Sequence, residues 1–316
     1  MKAKTLKRLA AASSLFGLLA AFLFASAAGA QQFSDWSAPV NLGPVVNSVF
    51  DDQHMAISKD GLSLYFSSNR PGGCGGLDLW VTQRASAGDP WGLPQNLGCT
   101  VNSSGSDFAP NLSPDAHYMY FTSRRPGSCG IGDLDIYVSR RHNKKEDFGW
   151  RSAENLGCVV NTTFRESGPT YFEDDTTGVI TLFFTCADRP ENHGADICAS
   201  TQSDGTFGPG VVVPDLSGPF NETRVAIRRD GLEIFFPSNR PGTFGNLDLW
   251  TSTRAATSDP WPLPVNMGSL INSSTEDEAP SLSFDGTELY FFSARPGGFG
   301  GRDLYVMTRS KLTGPQ

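Results

Sequence analysis

Beyond its first thirty residues this chain has no long apolar run and no stretch of helical period. A membrane-spanning helix needs about 20 consecutive apolar residues, so none is expected there, and α or α/β folds lose their main signal. It has no Cys-Xaa-Xaa-Cys pair, which speaks against a zinc cluster. Phosphate loops, dinucleotide fingerprints and nucleophile elbows are absent as well. There is no basic excess: Lys and Arg number 25 against 33 Asp and Glu. Histidine is scarce, with His54, His117, His142 and His193 at unequal positions and none at a metal-ligand spacing from another.

The one apolar run is N-terminal. Lys2, Lys4, Lys7 and Arg8 precede a run from Leu9 to about Ala25, and Ala28-Gly29-Ala30 closes it. That order marks a secretory signal over residues 1–30, with the mature chain beginning at Gln31. No cysteine follows the cleavage site to suggest a lipid anchor. Removing the four basic residues takes the formal net charge from −8 to −12. An acidic export product is a poor partner for nucleic acid or anionic lipid. The chain is therefore expected to be periplasmic or secreted, with no membrane span after cleavage.

With 34 Gly and 21 Pro, the chain punctuates short apolar runs in the way of many short strands. Arg-Pro recurs at Arg70, Arg125, Arg189, Arg240 and Arg295, at spacings of 55, 64, 51 and 55. Before each lies an apolar strand, as in Leu64-Tyr65-Phe66 and Leu289-Tyr290-Phe291. After each come a loop and an Asp that opens another strand: Asp78, Asp135, Asp196, Asp248 and Asp303. Each unit reads as four strands, A to D. Met55 to Ser58 exemplifies innermost strand A, and a Trp-Xaa-Xaa-Pro run serves as outer strand D. Five such units predict an all-β fold, a single five-bladed β-propeller over residues 31–316. The chain opens with a lone D-type strand, Trp36 to Leu42, and ends with a lone C-type strand, Asp303 to Thr308. Their pairing closes the ring in the C-terminal blade and removes two sheet edges.

The unit Asp-Gly-Xaa-Xaa-Leu-Tyr-Phe-Xaa-Ser-Xaa-Arg-Pro-Gly-Gly, followed by Asp-Leu-Trp or Asp-Leu-Tyr, resembles the WD-repeat-like propeller repeat of TolB-type periplasmic proteins. The resemblance covers nearly the whole mature chain and implies a role near the cell envelope. It does not select a chemistry, because one propeller scaffold serves many.

Six cysteines in an exported chain suggest three disulfides. Cys74 and Cys129 lie four residues past a repeat Arg, and Cys99 and Cys158 directly follow Asn-Leu-Gly. The blades lacking Cys at the first position, with His193, Phe244 and Phe299 there, also lack it at the second. The expected pairs are Cys74–Cys99, Cys129–Cys158 and, across one hairpin, Cys186–Cys198.

Two charged sets recur on the face holding the D–A and B–C loops. The first is the five repeat Arg with the five strand-opening Asp, read as a pair bracing each B–C loop. The second is a carboxylate three residues before a strand A position: Asp52, Asp107, Glu166, Glu222 and Asp277. These five are expected at the axial mouth, with His54, Arg165 and Arg224. Close anions need neutralising, by nearby Arg, by loop amides or by a bound calcium ion, for which oxygen ligands suit. No other cofactor is implied.

The reading favoured by the repeat is a recognition module whose mouth engages a protein, peptide or glycan of the cell envelope, as a monomer and without catalysis. A second reading is enzymatic. Family 43 glycoside hydrolases are five-bladed propellers with Asp, Asp and Glu on three successive inner strands, and Asp52, Asp107 and Glu166 are similar in type and order. The acid-to-Pro spacing differs, and all five blades carry the acid. A third reading is a scaffold with a structural calcium ion. Asymmetry directs attention to the third blade, at Arg165, Glu166 and His193. Four sequons, at Asn102, Asn161, Asn221 and Asn272, are read as sharing one turn position.

Overall fold

The protein is described by a computed structural model over residues 31–127, 129, 134–190 and 194–312. The signal segment and His193 lie outside the described residues. Five antiparallel sheets follow one another along the chain, four of them ordered A-B-C-D from the axis outward and the third carrying two short strands, Thr206–Phe207 and Val211–Val212, on its strand C. Their inner strands are Asp52–Ile57, Asp107–Leu112, Arg165–Glu173, Ala226–Ile227 and Asp277–Leu282. This is the five-bladed propeller expected. The ring closes as the repeat phase requires: Val40 pairs with Val306 and Asn41 with Tyr305, so the first strand completes the last blade.

The strands follow from local chemistry. Gly61, Gly231 and Gly286 take positive φ in the A–B turns, where a side chain would be strained. Strand B is buried from end to end in the first blade, Ser63–Ser68, because neighbouring blades cover both of its faces. The core is accordingly five separate clusters, one in each gap between blades. Met55, Phe66 and Trp80 meet Tyr290 and Phe292 across the closing gap, and Tyr65 and Leu79 meet Met119 and Phe121 across the next. Each fully buried Phe contributes roughly 1.5–3 kcal/mol, so every blade is held mainly by its neighbours and closure covers both end faces.

Two strand boundaries differ from expectation. The first inner strand begins at Asp52 rather than Met55. Strand D shrinks to two residues, such as Gln95–Asn96, since the Pro in its run cannot donate to a ladder. The three disulfides form as expected, Cys74–Cys99, Cys129–Cys158 and Cys186–Cys198. Their presence suits an oxidising, secreted or periplasmic setting.

Candidate functional site

The two charged sets turn out to be one device. Arg70 does not pair with Asp78 across its hairpin. Its Nη2 donates to Asp52 Oδ1 at 2.5 Å and to the Val46 carbonyl at 2.6 Å, while Nε donates to Ser68 Oγ at 3.0 Å. Asp52 accepts Ser48 N at 2.5 Å and Ser48 Oγ at 2.9 Å on its other oxygen. The arrangement recurs as Arg125–Asp107 at 2.7 Å, Arg189–Glu166 at 3.1 Å, Arg240–Glu222 at 3.1 Å and Arg295–Asp277 at 2.6 Å. Each brace ties a D–A loop to the B–C loop beside it. The strand-opening Asp does other work. Asp248 accepts Phe244 N at 2.7 Å and Asn266 Nδ2 at 2.8 Å, fixing the B–C loop onto strand D.

All five ring carboxylates are fully buried, with 0% exposure. Each is neutralised by its own Arg and loop amides. They therefore present no oxygen at the mouth, and there is no uncompensated charge for calcium to balance. Among the described residues no cluster of His, Cys, Asp and Glu is arranged to hold a metal ion. Arg165 opens the third inner strand, and its Nη2 donates to Asp188 Oδ1 at 2.7 Å in an exposed ion pair.

What does occupy the axis comes one and two residues later. Gln53, Phe108, Ser167, Thr223 and Glu278 follow the ring carboxylates, and all but Gln53 are half-buried rather than buried. Beyond them four blades break register with a bulge, between Gln53 and Ala56, Phe108 and Asn111, Ser167 and Thr170, and Glu278 and Ser281. The bulged residues His54, Ala109, Gly168 and Ala279 take φ of 48°, 55°, 59° and 53°. A bulge re-aims side chains. His54 lies between Phe108 and Phe292, with ring centroids 5.4 and 5.1 Å away. Its Nδ1 is buried without a partner. Burial, then the charges of Arg224 and Arg302, hold its pKa well below the ordinary imidazole range.

The fourth blade also departs from its sisters. Its inner strand is reduced to Ala226–Ile227. Arg224 leaves the ladder and crosses the axis, and its Nη2 donates to the carbonyls of Met55 at 2.8 Å and Pro110 at 2.6 Å. One side chain thus bridges three blades. Gly168 permits the crossing, since a Cβ there would stand 2.8 Å from Arg224 Cβ.

Two further carboxylates, Glu276 and Glu278, flank Asp277 where the last inner strand begins. Arg302 Nε donates to Glu276 Oε1 at 2.5 Å. Burial, and then the Glu276 carboxylate, push Glu278 up to about 7. Sequence reasoning missed this pair because it tracked only the position that recurs. The signal was the interruption of that pattern, Glu276-Asp277-Glu278, where sister blades have at most one neighbouring acid. At the opposite, A–B end the channel opens into a cavity of about 110 Å³ walled by Lys59, Tyr171, Arg229 and Phe284.

No protein-family model matches the chain, and no curated protein matches it by sequence. Solved structures do match in shape. The catalytic domain of a family 62 α-L-arabinofuranosidase from Coprinopsis cinerea aligns with a TM-score of 0.58 at 13% identity, covering 87% of this chain and 97% of its own. A thermostable family 43 glycoside hydrolase aligns at 0.57 and 12% identity, over 88% and 94%. A family 117 glycoside hydrolase from Zobellia galactanivorans aligns at 0.55 and 11%, over 88% and 89%. At such identities the likeness establishes the fold. The expectation of a recognition module is corrected: the similar solved structures are mostly five-bladed propeller glycoside hydrolases, which favours the second, enzymatic reading over it. What the chain belongs to is thus settled at the level of architecture, a five-bladed β-propeller.

Proposed function

We propose that this protein hydrolyses glycosidic bonds at the axial mouth on the D–A and B–C loop face, with Glu278 as proton donor. The observation that carries the reading is a carboxyl group of weakened acidity, Glu278, at one end of the channel beside a second carboxyl that is paired with Arg302. Glu278 is pushed up to about 7 and can hold a proton near neutrality, whereas Glu276 is tied to a guanidinium. Glycoside hydrolysis asks for a carboxyl that holds a proton near neutrality. Support comes also from the hydrolases of families 62, 43 and 117 that share the fold. Glu276 hydrogen-bonds Glu278 and pairs with Arg302, so its role is to position the acid. The alternative set of Asp52, Asp107 and Glu166 is fully buried and committed to braces, which leaves Glu278 as the available acid.

The test is sugar release from a broad set of plant and microbial glycans, including arabinoxylan, by native protein, Glu278→Gln and Glu166→Gln. Turnover lost in Glu278→Gln, while its fold is retained, supports the assignment. Turnover that survives Glu278→Gln but disappears in a folded Glu166→Gln returns the acid to the ring set. Absence of release across the whole panel sinks the hydrolase reading.

A further inference from the structure

Arg224 is a guanidinium on the propeller axis with no anion against it. It is 3% exposed. Two of its donors reach backbone carbonyls through Nη2, but its Nε and Nη1 are buried without a hydrogen-bond partner. Carbonyls supply partial charge only, and no carboxylate pairs with it among the described residues. Burial pulls its pKa down to about 9, so it still carries its charge at neutral pH. A buried charge left unpaired is costly. The same chain pairs each of its five repeat arginines with a carboxylate, so the omission at Arg224 is specific to the axis.

A second unpartnered polar atom lies alongside. His54 Nδ1 is buried and unsatisfied, and Arg224 is the charge that acts most strongly on His54. A neutral imidazole can donate from Nδ1. The rings of Phe108 and Phe292 flank it and strengthen any charge interaction by excluding water. Three donors, one cation and an apolar surround match a small monovalent anion. A cation or a neutral acceptor would leave the guanidinium uncompensated.

We propose that Arg224 and His54 form an axial anion site, occupied by a halide ion or by the carboxylate of an acidic sugar. The site does not depend on glycosidic cleavage. Binding at Arg224 is read without turnover, so an inactive protein can still hold the anion and an active one can lack it.

The experiment follows the unfolding midpoint of the purified protein at constant ionic strength. Chloride, bromide, glucuronate and neutral glucose are titrated separately against a bulky sulfonate. Crystals grown in bromide are then measured at the bromine edge. The expected result is a saturable rise of about 2 to 4 °C with halide, absent in Arg224→Met, with an anomalous peak in contact with Arg224 Nε or Nη1. A rise with glucuronate but with neither halide nor glucose also supports the site and names the sugar carboxylate as its occupant. No saturable response to any anion, and no anomalous peak at Arg224, overturns the proposal. Should Arg224→Met fail to fold, the native anomalous map decides alone, and bromide found only elsewhere overturns the site.

Discussion

The brace offers a reciprocal test within one molecule. In four blades a serine two residues before the repeat Arg completes it: Ser68, Ser123, Ser238 and Ser293. Ser123 Oγ accepts Arg125 Nε at 2.8 Å and donates to Asp107 Oδ1 at 2.5 Å. The third blade has Ala187 there instead, and Arg189 Nε is consequently buried without a partner. Ser123→Ala withdraws an acceptor from one buried charge and a donor from the other. At roughly 1–1.5 kcal/mol for each, the loss is about 2–3 kcal/mol, or about 3 to 5 °C in a domain of this size. Ala187→Ser supplies the missing acceptor at a site where Arg189 is already ordered by Glu166. A gain of about 1 kcal/mol is expected. Urea unfolding measures both, with the slope m unchanged if only stability moves. If Ser123→Ala costs under about 0.5 kcal/mol and Ala187→Ser gives nothing, water replaces these bonds and the brace does not stabilise the blades.

Other outcomes follow from the same geometry. Glu278 binds its proton more tightly in the fold, at about 7, than when unfolded. Its contribution to stability is present below the unfolded pKa near 4.3 and is lost as pH rises to about 7. Glu278→Gln should therefore gain on the native protein between pH 5 and 8 in pH-resolved thermal melts, and sugar release by native protein should fall as pH rises through about 7. In a glycosylating host only Asn221 should be modified, since Asn102, Asn161 and Asn272 are buried turn residues; intact-mass measurement of single Asn→Gln variants decides it. Replacing Cys186 and Cys198 together by Ser opens a loop of 12 residues, and should cost about 3 kcal/mol in urea unfolding.

The repeat carried the architecture because each blade buries the same positions against its neighbours. Arg70-Pro71 and its four copies, the aromatic strand B and the phase of the two chain ends were enough to count the blades and close the ring. The cysteine pairs were legible for the same reason, as paired departures from one repeat. Local pattern failed where it was read as function. Asn221 was grouped with the turn asparagines, yet it directly precedes its ring carboxylate whereas Asn102 stands five residues before its own. In the fourth blade Ser217 Oγ takes the turn role and bonds Ile197 N at 3.1 Å.

The site itself was a matter of tertiary structure. A recurring carboxylate looks like a ring of ligands until the strand direction that brings Arg125 to Asp107 is known. Pairing over 18 residues depends on which loops share a face, and only the assembled blade decides that. Arg224 shows the limit most clearly. Its partners, the carbonyls of Met55 and Pro110, lie 169 and 114 residues away. No repeat position announces a side chain that abandons its own blade to cross the axis. By itself the sequence determined the ring, because burial repeats with the chain. Which charges are spent inside the ring and which stand at its centre was decided by the fold, because burial and pairing at the axis depend on all five blades at once.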